Sequence, residues 1–100
     1  MTTFADLVAA DLRLVLLRSL EEAGGYSANE SVLASMLAAL GHRVSRDRVR
    51  TELAWLAEQG LVGIEDVLGL TVATLSPRGY DVAGGATTVP GVKRPRPKGL

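Results

Sequence analysis

The sequence predicts a mainly α domain with one small β-hairpin, an α+β class, on three observations. Apolar residues recur at helical spacing in three successive stretches, over roughly 4–22, 28–40 and 46–59. From Leu61 to Leu75 the pattern changes to β-branched residues interrupted by a Leu68-Gly69 turn. Only Phe4, Tyr26, Trp55 and Tyr80 are aromatic, so the core must come mostly from Leu, Val and Ala, which favours helix packing.

The first helix is expected from about Phe4 to Glu22, with Thr3 and Asp6 as its capping pair. Val8, Leu12, Val15, Leu16 and Ser19 share one face, with Phe4 near its edge. Leu7, Ala10, Leu14 and Leu17 share roughly the opposite one. A surface helix normally carries a single apolar stripe. Two stripes mean either that the rest of the chain covers both sides, or that Leu7, Ala10, Leu14 and Leu17 meet a second copy in a homodimer. Gly24 and Gly25 end this helix.

The second helix is expected from Ala28 to Leu40. Ser27 and Glu30 have capping-box spacing, and Asn29 is a rival N-cap. Val32, Leu33, Met36, Leu37 and Leu40 form its expected buried stripe, with Met36 as core packing. The third helix follows Ser45 as N-cap and runs to about Gln59, burying Val49, Leu53 and Leu56. After the hairpin, Pro77 sits in the first turn of a short helix ending at Gly84. Residues 87–100, "TTVPGVKRPRPKGL", read as a flexible basic tail, leaving one domain over 1–86. Three helices, a hairpin and a short C-terminal helix, with a tight turn between the second and third helices, are the winged helix-turn-helix plan.

A length of 100 residues suits one core, and 47% hydrophobic residues exceed what a disordered chain carries. Without cysteine there is no disulfide, thiolate zinc site or cysteine nucleophile. There is no bilayer-length apolar run and no signal-peptide pattern, since Asp6 and Asp11 interrupt the start. The expectation is a cytoplasmic protein that does not engage a membrane. The zero net charge hides an asymmetry. Residues 1–90 carry seven basic against eleven acidic side chains, a net of −4, while Lys93, Arg94, Arg96 and Lys98 make the last ten residues +4. An acidic body is unusual for a nucleic-acid binder.

The stretch "VSRDRVRTELAWLAEQGLV", Val44 to Val62, resembles the recognition helix and first wing strand of ArsR- and PadR-type bacterial regulators. "LSPRGYDVA", Leu75 to Ala83, resembles the segment that follows the wing in such regulators. Nearly the whole chain also resembles a family of small proteins from Mu-like prophages, carried by "DLRLVLLRSL", "GHRVSRDRVRTELAWLAEQGLV" and "VPGVKRP". That likeness implies a phage or prophage setting. The regulator likeness implies duplex DNA as the partner, met by the first half of the third helix.

Arg46, Asp47, Arg50, Thr51 and Ala54 fall on the outward face of that helix, with Arg43, Ser45 and Arg48 around its start. Arginine can give two hydrogen bonds to guanine and also neutralises phosphate. The alternative is a solvated face of ion pairs with Asp47, Glu52 and Glu58. The wing departs from DNA-binding habit: its tip carries Glu65 and Asp66 beside apolar Val67, Leu68 and Leu70, which suits a protein surface. In the tail, Lys93, Arg94 and Arg96 could track phosphates, dock on an acidic protein or simply aid solubility. Trp55 is expected to pack on the first helix or on a second copy.

His42 is the only histidine, so the multi-ligand metal site of some ArsR-type sensors is not carried over, and no metal or cofactor is expected. His42 itself is expected as a turn residue or a phosphate contact. Glu21-Glu22 and Glu65-Asp66 are neighbours whose side chains diverge on a helix or strand, so neither is a catalytic dyad. The expectation is a non-enzymatic DNA-binding regulator, with a phage-assembly or DNA-packaging interaction module as the alternative.

Overall fold

In a computed structural model, which describes residues 1–96, each helix starts where a side-chain oxygen satisfies free N–H groups. Helix α1 spans Phe4–Glu22 behind a reciprocal box: Asp6 N–H donates to Thr3 Oγ1 at 3.1 Å and Thr3 N–H to Asp6 Oδ2 at 3.0 Å. After a tight turn over Gly24–Tyr26 comes strand β1, Ser27–Asn29. Helix α2 spans Glu30–Ala39 and helix α3 Arg46–Glu58, the latter capped by Ser45 Oγ accepting from Arg48 N–H at 3.0 Å. Strands β2, Val62–Val67, and β3, Leu70–Leu75, form the wing. Helix α4, Pro77–Gly84, starts at Ser76, whose Oγ accepts from Gly79 N–H.

Strand β1 was not expected, and it corrects the start of the second helix. Ser27–Asn29 pair antiparallel with β3, giving a three-stranded sheet in the order β1-β3-β2. Ser27 is therefore extended, and its Oγ accepts from Thr74 Oγ1 at 3.1 Å instead of capping a helix. Asn29 takes that role: its Oδ1 accepts from Ser31 and Val32 N–H, both at 2.9 Å. The wing turn falls where the sequence places it. Leu68 at φ +52 and Gly69 at φ +83 give the two left-handed residues of a type I′ hairpin, and Asp66 Oδ1 accepts from Gly69 N–H.

The core is aliphatic. Leu12, Leu16, Leu17 and Leu20 of α1 meet Leu33 and Leu37 of α2, Val49, Leu53 and Leu56 of α3, and Leu61, Val62, Ala73 and Leu75 around the sheet. Each buried leucine contributes roughly 1.5–3 kcal/mol of transfer free energy. Val82 and Ala83 of α4 complete it. Gly79 is required there: a Cβ on it would lie 2.0 Å from the Leu61 carbonyl oxygen, so only glycine lets α4 cross the chain at that distance.

The expected buried stripe of α2 needs correction. Leu33 and Leu37 are inside, but Val32, Met36 and Leu40 are exposed. On so short a helix one i, i+4 row fills the space between α1 and α3, and the neighbouring row of large side chains is left outside.

The chain after Ala86 is irregular, with a turn at Pro90–Gly91 in which Val92 N–H donates to the Val89 carbonyl at 3.1 Å, and up to Arg96 it packs on the domain. It forms a strap across α1: Val89 is buried in the core, Val92 packs against it, and Lys93 N–H donates to the Ala10 carbonyl at 3.1 Å. Val89, Val92 and the Ala10 carbonyl of α1 hold what composition alone marks as a flexible tail. Residues 97–100, including the expected tail cation Lys98, lie outside the described residues.

Candidate nucleic-acid interface

Helix α3 presents its N-terminal half outward, and a buried carboxylate behind it organises the arginines. Glu30, the first residue of α2, is 1% exposed. Its Oε1 accepts from Arg50 Nη1 at 2.6 Å and lies 3.3 Å from Arg46 Nε; its Oε2 accepts from Thr71 N–H of β3 at 2.7 Å. One side chain thus ties α2, α3 and the wing together. The Thr71 amide pulls the Glu30 pKa down, burial pushes it up, and the Arg50 hydrogen bond and charge add to the lowering, so it rests below its ordinary value. A charge this buried is tolerated only because each oxygen is hydrogen-bonded.

Arg50 also pairs with Asp47, one turn back on the same helix. Arg48 donates to Glu52 Oε2 at 2.8 Å, and Glu52 Oε1 accepts from Arg13 Nε of α1 at 2.7 Å. Of the acids weighed against a DNA face, Asp47 pairs with Arg50 and Glu52 with Arg48, Glu58 forms no ion pair among the described residues, and Glu30 is an additional acid beside Arg46 and Arg50. They do not consume the arginines. A guanidinium has five N–H donors, and the side chains of Arg46 and Arg50 remain 51% and 44% exposed. Arg46 and Arg48 are held through Nε, which leaves their terminal amino groups to solvent, whereas Arg50 is engaged at Nη1 by Glu30 and at Nη2 by Asp47 and keeps only the second N–H of each. Arg43 and Thr51 are exposed, and Arg43 takes no part in these pairs. Ser45 spends its hydroxyl on the cap.

The other expected residues lie elsewhere. Lys93 pairs with Asp11 of α1 at 3.2 Å, and with Arg94 and Arg96 it walls a groove beside α1, away from the α3 face. Of the four residues expected at a dimer contact, Leu14 and Leu17 are buried within the chain, Ala10 receives the strap, and Leu7 alone is exposed. α4 and the strap cover most of what would have been the second face of α1, while Phe4 and Leu7 at its N-terminal end stay exposed. Trp55 lies under the Arg13 guanidinium, 3.9 Å from the ring centroid, as expected for contact with the first helix. His42 Nε2 donates to Asp11 Oδ2 at 2.6 Å and so fastens the turn before α3 to α1.

Burial raises the Asp11 pKa, but the hydrogen bonds and charges of His42 and Lys93 outweigh it and hold the carboxyl below its ordinary value. At the wing tip Leu68 is fully exposed. No helix among the described residues is long and apolar enough to cross a membrane. Sequence reasoning missed Arg13 altogether and read Glu30 only as a possible cap partner. Their partners lie 39 and 41 residues away, so no local pattern marks them.

No family model matches the chain. It is 54% identical over 93 residues to an uncharacterized protein, gp26, of Escherichia phage Mu, covering 93% of this chain and 96% of the relative. It is 51% identical over 77 residues to an uncharacterized protein of Haemophilus influenzae, covering 76% and 74%. Among solved structures it is similar to a MarR-family transcriptional regulator of Streptomyces coelicolor determined in complex with DNA. The TM-score is 0.60 at 25% identity, over 70% of this chain and 42% of that one. It is similar in fold alone to BpsR of Bordetella bronchiseptica, a protein whose DNA binding is regulated by 6-hydroxynicotinic acid. There the TM-score is 0.60 at 19% identity, over 79% of this chain and 52% of that one. The chain spans about half the length of these solved structures. The winged-helix plan stands, matched to a MarR-family regulator in place of the ArsR and PadR types.

Proposed function

The chain belongs to the family of the Escherichia phage Mu protein gp26, and we propose that it binds duplex DNA through the N-terminal half of α3 and acts as a regulator in a phage or prophage setting. The observation that carries this reading is the placement of Arg46 and Arg50 on the exposed side of the second helix of a helix-turn-helix, with exposed Arg43 in the turn just before it. Both are held by Glu30: Arg46 keeps its two terminal amino groups unpaired among the described residues, and Arg50, which also pairs with Asp47, remains 44% exposed. That element enters the major groove in DNA-bound proteins of this plan, and the Streptomyces neighbour was determined with DNA. Thr51 lies one position beyond Arg50 on the exposed side of the helix. Glu65 and Asp66 would repel phosphates, so the wing stays off the duplex.

The test is a fluorescence-anisotropy titration with a random duplex at low and at moderate salt. Contacts from three to four arginines give a log–log salt slope of about −3, and Arg43→Ala/Arg50→Ala removes roughly two units of it. Binding that is insensitive to salt or to these changes contradicts the reading. A second reading, a protein-interaction module in phage assembly or DNA packaging, is favoured by the wing tip. Leu68 is fully exposed in a left-handed conformation that costs a non-glycine residue about 1 kcal/mol. An apolar side chain held so is explained by a protein partner and not by DNA.

A further inference from the structure

Beside α1 runs a groove of about 540 Å³, bounded by α1, α2 and the strap. Its floor is apolar: Leu14 and Val15 of α1, Met36 and Leu40 of α2. The row of large side chains that α2 leaves outside the core is thus one wall of a concave surface. The opposite wall is cationic, with Arg18 of α1 and Lys93, Arg94 and Arg96 of the strap. Against these four cations the lining has two carboxylates, Asp11 and Glu22; Asp11 pairs with Lys93, so the excess of two positive charges rests on Arg18, Arg94 and Arg96 against Glu22. No residue of α3 or of the wing lines the groove.

We propose that this groove docks an acidic amphipathic helix of a partner protein. The apolar stripe is longer than the groove. Val32 continues it one turn before Met36, and Leu7 and Phe4 continue it along α1; all three are exposed. Phe4 to Arg18 is about 21 Å of helix, a length that suits a helix laid along it and exceeds a small molecule. An apolar floor offers a phosphate backbone nothing to bond, so the strap cations act here on carboxylates. A second copy is disfavoured by charge, because two identical faces would bring the same excess cations together. The inference stands apart from DNA binding, since the two surfaces share no residue.

The test uses the full chain and a fluorescein-labelled 18-residue helical peptide with one leucine stripe flanked by glutamates. A control peptide carries lysines in place of the glutamates. The glutamate peptide is expected to bind and the lysine peptide not to. Met36→Glu, and separately Arg94→Glu/Arg96→Glu, are expected to weaken binding about tenfold or more. All three side chains are exposed, so the melting curves of the variants stay close to that of the parent. The proposal is overturned if the glutamate peptide fails to bind, or if both peptides bind alike. It is equally overturned if sedimentation shows a dimer of the parent chain that Met36→Glu dissolves, which would make a second copy the occupant.

Discussion

The guanidinium of Arg13 lies 3.9 Å over the ring of Trp55, and the same side chain donates to Glu52 at 2.7 Å and to the Gly91 carbonyl at 3.0 Å. One residue of α1 therefore grips α3 twice and the strap once. Arg13→Ala is expected to destabilise the fold by about 2 kcal/mol. The change removes a stacked cation and half of the pairing of a buried carboxylate, while Arg48 still holds Glu52. Arg13→Lys should recover less than half, since an ammonium cannot stack and fork at once. Urea denaturation of both variants checks this; an alanine variant as stable as the parent would contradict it.

Gly91 sits at φ +96, and a Cβ there would lie 2.9 Å from the Trp55 ring. Gly91→Ala combines a left-handed alanine with a clash against an aromatic edge and is expected to cost about 1–3 kcal/mol. Because Trp55 is the only tryptophan, its emission should shift to the red in the native baseline as the strap lifts. A normal emission spectrum with unchanged stability would mean that the strap is not seated on α3.

The limits of sequence reading follow the same division between near and far. Thr3, Ser45, Pro77 and the Leu68-Gly69 turn are legible because each acts within three residues of itself. The grip of Arg13 on Gly91 spans 78 residues, and that of Glu30 on Thr71 spans 41. No periodicity encodes either. On α2, Leu33 and Leu37 could not be separated from Val32, Met36 and Leu40 by pattern, because what lies inside is decided by where α1 and α3 happen to approach. The strap reads as a flexible tail because Pro, Gly and charge dominate its composition, whereas Val89 and the Lys93 amide decide its position.

Asp11 and Glu30 both hold folded-state pKa values below their unfolded ones. The stability each contributes is therefore fully present above the ordinary carboxylate range and is lost as pH falls through the folded value. Asp11→Asn and Glu30→Gln should thus be less stable than the parent at neutral pH, with the gap closing below about pH 4. Denaturant midpoints measured from pH 7 to pH 3 check this. A gap that stays constant or widens in acid is the contrary result.

Leu68 adopts φ +52 without any packing to hold it there. Leu68→Asn or Leu68→Gly, residues that accept the first position of a type I′ turn, should stabilise the chain by about 0.5–1 kcal/mol. A rise in melting temperature supports the assignment of local strain; a fall would show that the leucine packs on the hairpin.

The central claim is that α3, and neither the strap nor the wing, meets DNA. An amide-resolved NMR titration of the full chain with a short duplex tests it most directly. The account expects the largest shifts at Arg43 to Thr51, with Lys93 to Arg96 and Glu65 to Leu68 little changed. Shifts centred on the strap or the wing tip, with α3 silent, would contradict it.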